Sequence, residues 1–218
     1  TVKGVDEWLP IDKPTLIDCD VKVALLSLPG LLQIDSETDI PSNVPYVFPE
    51  QKLIETWRSR IEARPGLKVG LCWQGSPTFG GDGLRSIPLY EFMPLGSIDG
   101  ISLISLQVGN GTEQIDGTSA PTGMTVIPDL DQAGAFVDTA AIMQHLDVVI
   151  SSDTAVAHLA GALGRVVWVP LSTASDWRFL VERSDSPWYP TMRLFRQEQL
   201  GDWSGVFERI KLALGDLM

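Results

Sequence analysis

A polar turn set between two apolar runs constrains the fold of this chain more than any other stretch. Asp147-Val-Val-Ile150 leads into Ser151-Ser-Asp-Thr-Ala-Val-Ala-His-Leu-Ala-Gly-Ala-Leu-Gly164, and Val166-Val-Trp-Val169 follows. Strand, polar turn, short helix, glycine stop and strand is the layout of an α/β unit. The turn falls where the strand's carboxyl end meets the helix's amino end. Unpaired backbone N–H groups and the positive end of the helix dipole favour an anion there, commonly a phosphate.

The same alternation runs through the rest of the chain. Residues 67–73, 101–106, 124–127, 148–151, 166–169 and 192–195 read as strands, and residues 21–28 as a further candidate near the start. Helices are expected over 50–63, 88–95, 138–146, 176–182 and 204–214. Leu53, Ile54, Trp57 and Ile61 form the apolar stripe of the first, and Val206, Phe207, Ile210 and Leu214 that of the last. Asp138 or a near neighbour is the expected cap of the third. Near-continuous apolar strands between helices imply a parallel sheet covered on both faces, hence a Rossmann-like, doubly wound α/β domain. Pro41, Pro45 and Pro49 mark an extended linker before it. The chain opens at Thr1, and its first fifty residues, rich in Pro and Asp, read as the tail of something larger.

Composition excludes several classes. A net charge of −12 argues against a general binder of nucleic acid or of anionic membranes, both of which need a basic face. No apolar run approaches the roughly 20 residues that cross a bilayer. Cys19 and Cys72 lack metal-ligand spacing and read as two reduced cysteines, and only two histidines are present, so no metal site is expected. A cytoplasmic setting follows from the reduced cysteines and the absence of a signal segment.

Ligands of a doubly wound sheet bind beyond the carboxyl ends of its strands. Three loops leave such ends. In the first, residues 74–86, Gln74, Gly75 and Ser76 open a glycine-rich stretch, and Arg85 and Ser86 close it. Its glycines permit close backbone approach and Arg85 suits phosphate, although a plain mobile loop has the same composition. The second begins at Gln107 and is either a contact for base or ribose or a surface loop. The third is the opening turn. Thr154 and Ala155 offer N–H groups, and Thr154 a hydroxyl. Asp153 either caps the helix or accepts from sugar hydroxyls. His158, one turn on, is either a core histidine or a group beside the phosphate. Trp73, Trp168, Trp177, Trp188 and Tyr189 are core or rim, and the segments around 176–178 and 186–190 are able to line a sugar or base pocket. No Ser-His-Asp constellation or hydrolytic carboxylate pair is visible.

Gly70-Leu-Cys-Trp-Gln-Gly-Ser-Pro77, Arg85-Ser-Ile-Pro-Leu89, Phe136-Val-Asp-Thr-Ala-Ala141, the opening stretch and Ser186-Pro-Trp-Tyr-Pro190 occur in order. Together they resemble the carboxyl-terminal glycosyltransferase-like domain of bacterial tetratricopeptide-repeat proteins. That domain is similar to the nucleotide-sugar half of ADP-heptose:lipopolysaccharide heptosyltransferases, glycosyltransferase family 9, which have the two-domain GT-B fold. The resemblance implies a division into 1–48, the tail of an amino-terminal GT-B domain with linker, 49–200, a nucleotide-sugar-binding domain, and 201–218, a closing helix. The family motif Asp-Thr-Gly-x-x-His is matched by Asp153, Thr154 and His158, with Ala155 in place of glycine. By the same resemblance the helix start holds a donor diphosphate, Asp153 meets the donor sugar, and Arg85 stands where the family often has lysine.

The implied activity is metal-independent, inverting transfer of a glycosyl group from a nucleotide diphosphate sugar to an acceptor hydroxyl on a glycan, lipid or protein, with no cofactor. The family's catalytic Asp belongs to the amino-terminal domain, so no catalytic base is assigned in this chain, and the isolated chain is expected to be inactive. Upstream tetratricopeptide repeats are the expected partners in the same polypeptide. The contrasting readings are a non-catalytic scaffold or ligand-sensing module attached to those repeats, and another nucleotide-sugar enzyme on a related fold.

Overall fold

The computed structural model describes residues 5–7, 19–115 and 120–218. Of the expected 1–48 tail, residues 1–4 and 8–18 lie outside the described residues. Helix α1 spans Leu28–Leu31, α2 Gln51–Glu62, α3 Asp82–Arg85, α4 Val137–Met143, α5 Ala155–Ala162 and α6 Trp203–Gly215. Strands β1 Leu67–Cys72, β2 Ile101–Ser105, β3 Val148–Ser151, β4 Val167–Leu171 and β5 Met192–Arg196 form one sheet in the order β2-β1-β3-β4-β5. Every pairing among them is parallel.

Side-chain alternation along each strand feeds two cores. On one face Cys72, Val149, Val167 and Val169 pack under α2, α4 and α5. On the other, Val69, Leu71, Trp73, Val148 and Ile150 meet α6 and the 3-10 segment Leu89–Ser97. Gly70 is placed by this packing, because a Cβ there would lie 2.5 Å from a Leu146 methyl and 2.8 Å from a Leu106 methyl. Trp57 and Ile61 are the buried residues of the α2 stripe, with Leu53 and Ile54 half-buried beside them. Trp57 Nε1 donates to Asp138 Oδ1 at 2.8 Å, and His145 sits between the Ile54 carbonyl and the Glu62 carboxylate. These contacts lock α2 onto α4.

Several expectations are corrected. Residues 21–28 form no strand. Residues 25–27 make a 3-10 turn running into α1, which carries Pro29 in its first turn, and Leu25 and Leu26 stand 82% and 93% exposed. Without a sheet neighbour, an apolar run has nothing to pair with. Residues 124–127 likewise make only an isolated bridge, where Thr125 exchanges backbone bonds with Leu103 and Ser105 beside β2. In place of an α-helix over 88–95, Leu89–Ser97 is 3-10, with Pro88 as its N-cap and Pro94 inside the segment. Of 176–182 only the turn Trp177–Phe179 is helical, capped by Asp176.

The cap of α4 is also not Asp138. The helix starts from Phe136 in a left-handed conformation (φ 65°) with no side-chain cap of its own. Asp131, five residues upstream of that start, supplies the acceptors instead. Its Oδ1 accepts from the N–H groups of Asp138 and Thr139, and its Oδ2 from the Thr139 hydroxyl at 2.6 Å. Asp138 Oδ2 accepts from the Asp131 N–H in return. Thr139 is buried, so loss of this carboxylate leaves groups that water does not reach. Asp131→Ala is expected to lower stability by about 2 kcal/mol in urea unfolding, with Asp131→Asn losing less because one acceptor oxygen survives.

Candidate functional site

The strand order sets where a site can form. From β1 the chain crosses to β2 on one side, then returns past β1 to β3 on the other. The loops leaving β1 and β3 therefore diverge and open a crevice at the strands' carboxyl ends, the position where doubly wound sheets bind ligands. The first glycine-rich loop and the Ser152–Thr154 turn line this crevice. A single side chain spans it. Arg85, at the end of α3, donates from Nη1 to the Asp153 carbonyl at 3.1 Å and from Nε to Asp82 Oδ1 at 3.1 Å.

The loop is shaped to hold that guanidinium. Its ends are tied by Ile87 N–H to the Trp73 carbonyl and by Gly75 N–H to Ser86 Oγ at 3.0 Å. Phe79 lies under the Arg85 guanidinium at 4.4 Å from the ring centroid. Gly75 must lack a side chain, because a Cβ would come within 2.6 Å of Arg85 Nη2. Two donors of Arg85 are thus spent on the protein, while Nη2 meets no protein acceptor among the described residues.

Arg85, Thr154 and Ala155 form a saddle between two cavities. The first, about 490 Å³, is walled by Phe79, Asp153, His158, Ser172, Asp176 and Arg178. The second, about 390 Å³, is walled by Gln74, Ser76, Gln107, Asn110, Phe136 and Val156. Helix α5 begins at this saddle with Thr154 extended as its N-cap and no side-chain cap. The N–H groups of Ala155 and Val156 have no protein acceptor among the described residues. They point from the positive end of the helix, beside the free Arg85 nitrogen.

The other expected residues divide by what the protein already asks of them. The Ser151 hydroxyl donates to the Ser152 carbonyl, so in the 3.0 Å contact with Thr154 Oγ1 it is Thr154 that donates. The Thr154 hydroxyl proton is therefore turned inward, and its carbonyl accepts from Ala157 and His158, so only its backbone N–H has no protein acceptor among the described residues. Gln107 is fully engaged: Oε1 accepts from the N–H groups of Trp73 and Gln74 and from the Cys72 thiol, and Nε2 donates to the Gln74 and Asn110 carbonyls. It latches the end of β1 to the loop after β2 and shapes the second cavity's floor. Ser76 pairs with Thr78 at 2.8 Å. Ala155 is exposed, its methyl in the mouth of both cavities.

Asp153 does not cap α5. Its side chain is 16% exposed, and His158 Nε2 lies 3.8 Å from Oδ1. His158 is neither a core residue nor free, being stacked on Phe179 and tilted against Tyr189 at centroid distances of 6.0 and 5.8 Å. Gly161 admits the Tyr189 ring, since a Cβ would come within 2.5 Å of it. Asp153 thus gives the first cavity a carboxylate that accepts no hydrogen bond among the described residues. Sequence reasoning missed Phe79, Asp82, Gln114 and Asp131. The i, i+3 spacing of Asp82 and Arg85 was the available signal for one of them; the others act across distances that no local pattern reports.

An all-parallel α/β sheet with this crevice matches a Rossmann-like half of the GT-B fold, similar to that of heptosyltransferases. Among solved structures the chain resembles E. coli ADP-heptose lipopolysaccharide heptosyltransferase II, at 13% identity and TM-score 0.56, over 83% of this chain and 57% of that one. A glycosyl transferase family 9 protein from Veillonella parvula gives 13% and 0.56 over 82% and 55%, and E. coli heptosyltransferase WaaC with ADP gives 14% and 0.52 over 76% and 48%. Likeness at these identities is one of fold. In sequence, the chain is 30% identical over 185 residues to protein FlbA of Caulobacter vibrioides, covering 81% of this chain and 30% of FlbA. The chain thus spans about half the length of these solved structures and under a third of FlbA. No protein-family model matches it. Among the described residues, no helix is long and apolar enough to cross a membrane.

The two cysteines differ sharply. Burial pushes the Cys72 thiol up to about 11, while Cys19 is exposed. At pH 8 only about one Cys72 in a thousand is then thiolate. Titration of the native chain with Ellman's reagent at pH 8 is expected to give one fast thiol, and two after denaturation.

Proposed function

We propose that this chain is the donor-binding half of a GT-B glycosyltransferase, holding a nucleotide diphosphate sugar at the crevice between β1 and β3. The observation that carries the reading is the Arg85 saddle. A free guanidinium nitrogen and the open start of α5 stand together between two cavities. Donors without acceptors at such a point suit a diphosphate, whose oxygens only accept. The walls then divide the rest of the ligand. Asp153 and Asp176 in the first cavity repel phosphate but accept from hydroxyls, which suits a sugar. Leu106, Val108, Phe136 and Val156 give the second an apolar wall suited to a base.

In transfer, Arg85 and the helix dipole would offset the charge that develops on the departing diphosphate. His158 stands close enough to Asp153 for the two to act as one unit beside the sugar. The base that activates the acceptor hydroxyl would come from a second domain. The same reading includes an acceptor on a glycan, lipid or protein, tetratricopeptide repeats upstream in the polypeptide, and a cytoplasmic setting. The acceptor class and the repeats rest on the sequence resemblance, and the cytoplasmic setting on the reading of two reduced cysteines. The Ala155 methyl, exposed where the family motif has glycine, favours a second reading, a retained fold that senses a ligand without turning it over.

Calorimetric titration with ADP, UDP and GDP sugars tests the proposal. Micromolar binding of one nucleotide series is expected, weakened about 10- to 100-fold by Arg85→Ala. Gly75→Ala is expected to weaken binding in the same direction, because the added methyl would displace the Arg85 guanidinium and crowd Asp82 Oδ1, 2.8 Å from the new Cβ. Absence of heat with every nucleotide would sink the donor-site reading. Binding without transfer in a longer protein that carries both halves supports the sensor.

A further inference from the structure

The second cavity's wall has a polarity that its composition does not reveal. Gln74 lines this cavity, and an amide side chain offers either a donor or an acceptor depending on which way it turns. Here the turn is fixed from a distance. The Leu89 backbone N–H, which only donates, gives its hydrogen to Gln114 Oε1 at 2.9 Å. Gln114 must then direct Nε2 the other way, and it donates to Gln74 Oε1 at 2.8 Å. With its oxygen taken, Gln74 keeps Nε2 as the polar atom that meets no protein acceptor among the described residues. The orientation of both amides follows from one backbone donor, so it does not depend on telling oxygen from nitrogen.

The backbone around Gln74 holds it in this state. Its N–H and carbonyl are both bonded to the Gln107 amide, whose own orientation is set by the N–H groups of Trp73 and Gln74. Gly111 (φ 92°) lies against the Gln74 side chain, where a Cβ would come within 2.9 Å of the Gln74 Cβ. Glycine at this position thus leaves the space that the Gln74 side chain occupies.

We infer that Gln74 is a ligand-reading residue of the donor-only kind, and that Gln114, behind it, is the positioning residue that sets its polarity. The group it recognises is an oxygen that accepts without donating, a phosphate oxygen or a base carbonyl. An exocyclic amino group or a hydroxyl donor at that point would face N–H against N–H or leave its own hydrogen unpaired. This inference rests on the donor-site reading above and refines it. Together with Arg85 Nη2 and the Ala155 and Val156 N–H groups, it places four unpaired donor groups along the second cavity and its saddle, on a lining that also carries the Asp131 carboxylate.

The test is a double-mutant cycle on the 218-residue chain, read by calorimetry with ADP, UDP, GDP, inorganic pyrophosphate, adenosine and uridine. Gln114→Glu keeps an acceptor for Leu89 but replaces the donor that holds the Gln74 oxygen, so the Gln74 amide turns over and presents its carbonyl. Binding is expected to weaken roughly tenfold in Gln114→Glu, and this loss is expected to vanish in the Gln74→Ala background. A loss shared by pyrophosphate assigns the oxygen to phosphate, and one confined to uridine and its nucleotide assigns it to a base carbonyl. An equal loss in both backgrounds reports only the added charge and overturns the relay, as does no loss at all. Should Gln114→Glu fail to fold, Gln74→Glu carries the test, because it keeps Gln114 as donor and puts oxygen where Nε2 stands. Weakening beyond that of Gln74→Ala is expected from it, and unchanged affinity overturns the proposal. If the wild type binds none of these compounds, the donor-site reading fails as well; if it binds and the cycle is additive, only the relay fails.

Discussion

A parallel sheet has to be covered on both faces, and most of this structure follows from meeting that requirement in a chain of modest length. Each strand alternates its side chains between two cores, one under α2, α4 and α5 and the other under α6 and the segment Leu89–Ser97. Covering both faces obliges the chain to wind first one way from β1 and then the other. The crevice between β1 and β3 is the consequence. No residue was needed to create it, only the order of the strands, and the polar loops collect there because the strand ends are where the backbone leaves the core.

Within the crevice, polar groups fall into those consumed by the fold and those left over. Gln107, Ser86, Asp82 and the Thr154 hydroxyl are consumed: they tie loop to strand or hold Arg85 in place. Arg85 Nη2, the first N–H groups of α5, Gln74 Nε2 and the Asp153 carboxylate are left over. The consumed groups make the remaining ones stiff. Asp82 and Phe79 hold the Arg85 guanidinium from its edge and its face, so a ligand that takes Nη2 need not order the side chain again.

How much of this was legible in the sequence depends on the range over which each determinant acts. The helix-strand alternation and the Ser151–Gly164 unit were legible because hydrophobic period and glycine stops are local. The placement of Arg85 and of the α5 start in one crevice was legible once a parallel sheet was inferred, because topology alone brings them together. Residues 21–28 and 124–127 were misread as strands, since an apolar run reports willingness to pair and not the presence of a neighbour. The cap of α4 was sought at Asp138 or a near neighbour, but the acceptor, Asp131, reaches the helix from an irregular loop and with a left-handed backbone (φ 58°). The Leu89–Gln114–Gln74 chain was illegible for the same reason: it joins a 3-10 segment, a turn after β2 and the loop after β1, and each member alone is an ordinary residue.

On the proposed reading, a chain of net charge −12 that takes up an anion also has to overcome its own field. At physiological ionic strength the screening length is about 8 Å, so carboxylates on the outer surface contribute little at the crevice. What matters is the balance within hydrogen-bond reach. There Arg85 is partly neutralised by Asp82 at 3.1 Å, which limits how much attraction a full charge supplies. Neutral donors do not carry that penalty. The N–H groups of α5 and the Gln74 amide are dipoles already aimed by the fold, and they stabilise an oxygen acceptor without being pulled toward nearby carboxylates. An acidic protein that reads phosphate or carbonyl oxygens gains more from orienting such dipoles than from adding lysines. The relay through Gln114 is the form that orientation takes here, because an amide is useful as a donor only while something holds its oxygen away.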